Sequence, residues 1–170
     1  MIDCPIFLIG MPGSGKSSLG KRLAGRLQMR YVDTDQRICD IAGCNVTNIF
    51  ARYGEQAFRN AETNVLTQIA YEPPAVISTG GGMVMREINR EIMRNHGVIV
   101  LIDRPLADIM GDIKLDRRPL LAQKGLGEVE RLYHERIGVY RALADATLDN
   151  SQGYYNGMYN LERLVRDMFA

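Results

Sequence analysis

Residues 5–10 (PIFLIG) form an apolar run that passes directly into GMPGSGKSS (10–18), and a helical pattern opens at Lys16. The segment matches G-x-x-x-x-G-K-[ST] through Gly10, Gly15, Lys16 and Ser17, in the strand–loop–helix setting that separates a phosphate loop from a chance glycine-rich turn. Glycines let the backbone N–H groups of Gly13, Ser14, Gly15 and residues 16–18, Ser18 included, curl round a phosphate. The helix start adds the positive end of its dipole. Lys16 supplies a point charge for the β- and γ-phosphates, and the Ser17 hydroxyl is a magnesium ligand. The motif therefore predicts a nucleoside triphosphate–Mg²⁺ site. It does not name an acceptor.

A loop of this kind belongs between a parallel strand and a helix, and the rest of the chain follows suit. Short β-rich runs at 5–10, 30–34, 74–79, 97–103 and 146–150 alternate with longer helical patterns such as KSSLGKRLAGRLQ, EQAFRNAETNVLTQIAY, EVERLYHERIGVYRALA and NLERLVRDMF. Runs apolar at every residue, such as 6–9 and 98–102, fit strands covered on both faces. The alternation predicts an α/β protein of the P-loop NTPase type. Its expected form is a three-layer fold, a five-stranded parallel sheet with helices on both faces and a lid segment at about 111–125. With 170 residues, one domain over 1–170 is expected. Ligands of such sheets sit beyond the carboxyl ends of the strands.

Composition narrows the classes further. A net charge of +1 supplies no field for nucleic acid or an anionic membrane. Cys4, Cys39 and Cys44 are odd in number, scattered and without CxxC or nearby His, which reads as reduced cytosolic thiols. The first residues carry an acid and no basic leader, and no run is long enough to span a bilayer. A soluble cytoplasmic monomer is the expectation.

Four features fall on the acceptor side. VDTD puts Asp33 and Asp35 at a strand end, either as turn residues or as two site carboxylates; the third strand lacks the usual acidic magnesium partner, so Asp33 is the nearest candidate. STGGG brings Gly80, Gly81 and Gly82 after that strand, where backbone can approach a ligand closely. FRNAE sets Arg59 and Glu62 on one helical face, equally the pattern of an ordinary surface ion pair. GDIKLDRRPLLAQKG (111–125) is a basic, glycine-bounded segment of the kind that closes over phosphates, or a solvated loop.

Together, GMPGSGKSS, VDTD, FRNAE, STGGG, RRPLLA and ERIGVY resemble, in order and spacing, the bacterial and plant shikimate kinases, over residues 5 to 150. The resemblance implies transfer of a phosphoryl group from ATP to the 3-hydroxyl of shikimate, in the route to chorismate and aromatic amino acids, with Mg²⁺ as cofactor. It implies Ser17 and Asp33 for the metal, and Asp35 for the acceptor hydroxyls. Arg59 and Arg136 would take the shikimate carboxylate, a Gly81 N–H would assist, and Arg118 would be the lid arginine at the transferring phosphate. The chain departs from the family pattern in RIGVY, which leaves Arg141 as a fallback for Arg136, in a second lid arginine, Arg117, and after the last strand, where Gln152 is the adenine-side candidate. Another small P-loop kinase, acting on a sugar acid or nucleoside monophosphate, is the alternative. A GTPase-like switch would need N-K-x-D, which the sequence lacks.

Overall fold

The computed structural model describes residues 2–112 and 125–170. Five parallel strands, β1 (Ile6–Ile9), β2 (Arg30–Asp33), β3 (Ala75–Ser78), β4 (Val98–Asp103) and β5 (Ala146–Asp149), form one sheet in the order β2-β3-β1-β4-β5. The helices are α1 (Lys16–Leu27), α2 (Thr34–Ala42), α3 (Val46–Ala70), α4 (Glu87–His96), α5 (Leu106–Asp112), α6 (Leu126–Leu143) and α7 (Tyr154–Met168).

The central strand explains the unbroken apolar runs. All four residues of β1 are fully buried, because alternate side chains point to opposite faces and both faces are covered. Ile6 and Leu8 pack with Leu19 and Leu23 of α1 and Leu161 and Val165 of α7. Phe7 and Ile9 pack on the other side with Leu66 and Ile69 of α3, Met93 of α4 and Tyr140 of α6. These two layers are the core. They hold the sheet rigid beneath the loops at its carboxyl edge.

Local structure departs from the sequence reading in three places. Strand β2 ends at Asp33, and Thr34 already begins a helix; Asp33 caps it, its carboxylate accepting from the N–H groups of Asp35 (3.1 Å) and Gln36 (3.3 Å). The helix expected from residue 55 reaches back to Val46, across a break at Gly54 (φ 80°, ψ 171°) that a residue with Cβ would resist. Helices α4 and α5 complete crossovers that the sequence reading left unassigned. Residues 113–124, and with them Arg117 and Arg118, lie outside the described residues. Gly111 ends in α5, and Gly125 precedes α6 with φ 73°. Among the described residues no helix is long and apolar enough to cross a membrane.

Candidate active site

The loop after β1 has the shape its glycines require. Gly10, Gly13 and Gly15 adopt positive φ (141°, 85° and 103°), and Gly15 leads directly into α1. Lys16 is buried and folds back over the loop, donating from Nζ to the carbonyls of Gly10 and Met11, both at 2.8 Å. Ser14 is fully buried, and its N–H closes a turn on the Met11 carbonyl (3.1 Å). Ser17 and Ser18 are exposed at the start of α1. The loop thus turns carbonyls inward to its own lysine and presents the helix start outward, the arrangement that receives an anion.

Asp33 and Asp35 stand two residues apart at the start of α2, with different surroundings. The Ser17 hydroxyl donates to Asp33 Oδ2 at 2.9 Å, and Tyr31 donates to the same oxygen at 3.4 Å, while Oδ1 caps α2. One carboxylate oxygen is therefore spent on the fold and the other faces the phosphate loop. Both aspartates line an open cavity of about 690 Å³ with Ser17, Tyr31 and Cys39. Asp35 leans the other way, toward the triple glycine. A Cβ on Gly80 would stand 2.6 Å from Asp35 Oδ1 and 2.9 Å from Glu62 Oε1.

The three glycines are needed for space rather than for backbone freedom, since none of them has a positive φ. A Cβ on Gly81 would meet the Pro12 ring at 2.9 Å and Arg136 Nη1 at 3.5 Å; one on Gly82 would meet Arg59 Nη1 at 2.5 Å. The turn is thus the point on which Asp35, Glu62, Arg59, Arg136 and the phosphate loop converge. The N–H of Gly80 is already given to Thr34 Oγ1 (2.9 Å), so that glycine contributes room rather than a free donor. Tyr140 fixes the turn from α6, its hydroxyl donating to the Gly81 carbonyl at 2.5 Å. Burial pushes the Tyr140 phenol up to about 12, with neighbouring Arg136 pulling the other way.

Arg59 donates from Nη1 to Glu62 Oε2 at 2.7 Å and reaches exposed Glu55 at 3.3 Å. Glu62 is 1% exposed, which makes this no ordinary surface pair. Burial raises the Glu62 carboxyl above its usual range; Arg59 and Arg136 lower it and Asp35 raises it further. Burial opposes the charge on Arg59, but Glu62 outweighs it and raises the guanidinium. Arg136 is buried beside this group, and its Nε has no hydrogen-bond partner among the described residues. Arg141 lies elsewhere, its exposed guanidinium paired to Asp103 at 3.1 Å. An inward cation with unspent donors suits an anionic ligand; an outward paired one does not.

Two contributors escaped the sequence reading. Asn150, after β5, donates to the Ser14 carbonyl at 2.8 Å, and Arg104, after β4, donates to the Gly13 carbonyl at 3.1 Å and pairs with Asp112. Their only sequence signal is position, just past a strand end. Gln152 is exposed in the β5–α7 loop.

Comparisons with known proteins give the following likenesses. The family model described as shikimate kinase matches residues 12–160. A shikimate kinase of Clostridium beijerinckii is 34% identical over 162 residues, covering 95% of both chains. One of Neisseria meningitidis serogroup C is 37% identical over 163 residues, covering 95% of this chain and 96% of the relative. Among solved structures, the shikimate kinase from Acinetobacter baumannii in complex with shikimate superposes with a TM-score of 0.89 at 29% identity, covering 98% of this chain and 92% of that one.

Proposed function

The chain belongs to the shikimate kinase family, its activity is the ATP-dependent phosphorylation of shikimate, and we propose the following division of labour among its residues. Residues 1–170 act as one kinase domain. The N–H groups of residues 13–18 take the ATP phosphates, Lys16 adds charge toward the γ-phosphoryl group, and Gln152 contacts the nucleotide from the β5–α7 loop. Arg59 and Arg136 bind the shikimate carboxylate, for which planar guanidinium groups suit better than a lysine. Asp35 accepts the hydrogen of the attacking 3-hydroxyl, aligning its oxygen with the γ-phosphorus; the products are 3-phosphoshikimate and ADP. Gly81 and Gly82 let the acceptor approach the turn, and Gly80 leaves room for Asp35 and Glu62. Arg118, outside the described residues, has the phosphate-side role its R-P-L-L setting implies.

The observation that carries this reading is the convergence on Gly80, Gly81 and Gly82. One turn touches the Asp35 and Glu62 carboxylates, two arginines and Pro12 of the phosphate loop. A carboxylate-bearing polyol seated there would have its hydroxyl beside the phosphates. A nucleoside monophosphate would bring a second phosphate against Asp35 and Glu62, which would repel it.

Mg²⁺ fits Ser17 Oγ and Asp33 Oδ2, two hard oxygens 2.9 Å apart at the loop mouth. Among the described residues no group of three His, Cys, Asp or Glu could hold a metal alone. That suits an ion whose other ligands are phosphate and water, and when bound it offsets charge on the β- and γ-phosphoryl oxygens. All three cysteines are free, which supports a cytoplasmic enzyme, and we read it as a monomer.

The test is turnover of ATP with shikimate against gluconate and a panel of nucleoside monophosphates, in the presence and absence of Mg²⁺. Shikimate should be preferred by orders of magnitude, and only with the metal. Faster turnover of any competitor would overturn the acceptor assignment, and turnover in chelator would overturn the metal.

A further inference from the structure

We propose that Asn150 is a positioning residue for nucleotide binding, holding the Ser14–Gly15 peptide so that the Gly15 N–H faces the phosphates. Asn150 is 8% exposed and sits where β5 ends, its own N–H fixed to the Asp103 carbonyl at 2.8 Å. Its side-chain amide donates to the Ser14 carbonyl at 2.8 Å, a bond between residues 136 apart. A trans peptide is planar, with C=O and N–H pointing opposite ways. Anchoring the Ser14 oxygen toward β5 therefore turns the Gly15 N–H away from β5, toward the mouth of the loop. The chain makes room for this bond on both sides. A Cβ on Gly15 would come within 3.0 Å of Asn150 Nδ2, and one on Gly157 would collide with Asn150 Oδ1.

The choice of residue points the same way. Asn150 Oδ1 is buried with no hydrogen-bond partner among the described residues. A buried orphan acceptor costs stability, so the amide is not kept for the fold's sake. What it supplies is a neutral donor of the right length; an aspartate would set an oxygen against the Ser14 carbonyl, and an aliphatic residue would leave that carbonyl bare. Arg104 holds the preceding carbonyl, that of Gly13, from the end of β4. Two consecutive loop peptides are thus tied to the two strands on one side of β1.

The proposal rests on the assignment of residues 10–18 to the ATP phosphates. It is tested by Asn150→Asp, which keeps size and reverses one bond. Calorimetric titration should show ADP affinity reduced at least 10-fold, AMP affinity reduced less because the β-phosphate is missing, and shikimate affinity within twofold of wild type. Unchanged ADP affinity in the folded variant, or equal losses for ADP and shikimate, would overturn the role. Should Asn150→Asp not fold, the wild-type protein decides by NMR. The Asn150 side-chain amide protons should exchange slowly and shift on ADP binding but not on shikimate binding; solvent-rate exchange, or no response to ADP, would overturn the proposal. Wild-type protein that bound no ADP would instead break the phosphate-loop assignment itself.

Discussion

Replacing Gly82 by alanine should weaken shikimate binding roughly 10- to 150-fold and leave the ATP site nearly untouched. The backbone there (φ −90°, ψ −6°) is the turn conformation that L-residues adopt at the third position of type I turns, so no left-handed strain is introduced. The added Cβ, however, would stand 2.5, 2.7 and 2.8 Å from Nη1, Nη2 and Cζ of Arg59. Ordinary contact begins near 3.5 Å, so the guanidinium has to retreat by about 1 Å. The end of a long side chain can move, but Nη1 is the atom that pairs with buried Glu62, so the shift loosens that pair and lowers the melting temperature, and the fork no longer meets the acceptor carboxylate. A charge-assisted hydrogen bond contributes about 1.5–3 kcal/mol, and about 1.4 kcal/mol is a factor of ten, which gives the range above. The assay is the steady-state KM for shikimate at saturating ATP, beside a thermal melt of the free protein. Gly81→Ala is the internal comparison: its Cβ presses Pro12 at 2.9 Å and should raise the ATP KM instead. An unchanged shikimate KM in Gly82→Ala, or an equal rise in both KM values, would refute the placement of Arg59 at the acceptor.

Arg136→Ala should raise the shikimate KM at least 10-fold, whereas Arg141→Ala should change it less than twofold, since an exposed pair contributes only about 0–1 kcal/mol; kinetics of the two variants side by side decide it. Asp33→Asn keeps an oxygen to cap α2, so its melting temperature should hold while its Mg²⁺ requirement rises. Asp35→Asn should lower turnover at every Mg²⁺ concentration, and superimposable Mg²⁺ titrations would contradict the division. Tyr140, held neutral by burial, should ionise only near pH 12. Its raised value means that this stabilisation is fully present below pH 10 and lost as pH rises toward 12, about 2–3 kcal/mol in all. Phenolate absorbance and denaturant melts across that range should lose this late component in Tyr140→Phe.

The layers and the phosphate loop were legible because their causes are local. Four consecutive apolar residues running into a phosphate loop read as a strand covered on both faces, and three glycines around a lysine leave few conformations. Asp33 and Asp35 stood out by their place at a strand end and Arg59 by its spacing to Glu62; the structure puts both aspartates on one cavity and Arg59 against the triple glycine. What local pattern could not disclose were bonds between distant residues. Nothing near Asn150 announces that its partner is Ser14, and nothing near Thr34 announces that it occupies the Gly80 N–H. The triple glycine was read as close approach of backbone to a ligand; what the sequence did not disclose is the crowding there by side chains from α2, α3 and α6. The break at Gly54 hid the first part of α3, because the helical period restarts there.

The strand order has a consequence for the newborn chain. β1 pairs with β3 and β4 and not with β2, the strand that follows it, so one of its edges waits for residues 76–78 and the other for 98–101. While the ribosome adds that intervening length, an apolar segment with bare backbone on both edges has no sheet to join, the condition under which strands aggregate. A chain stalled before β4 therefore leaves one edge of an apolar strand bare. The phosphate loop gains its anchors in turn, from Ser78, then Arg104 and then Asn150, so its grip on a nucleotide is completed only after the strands on both sides of β1 have been made.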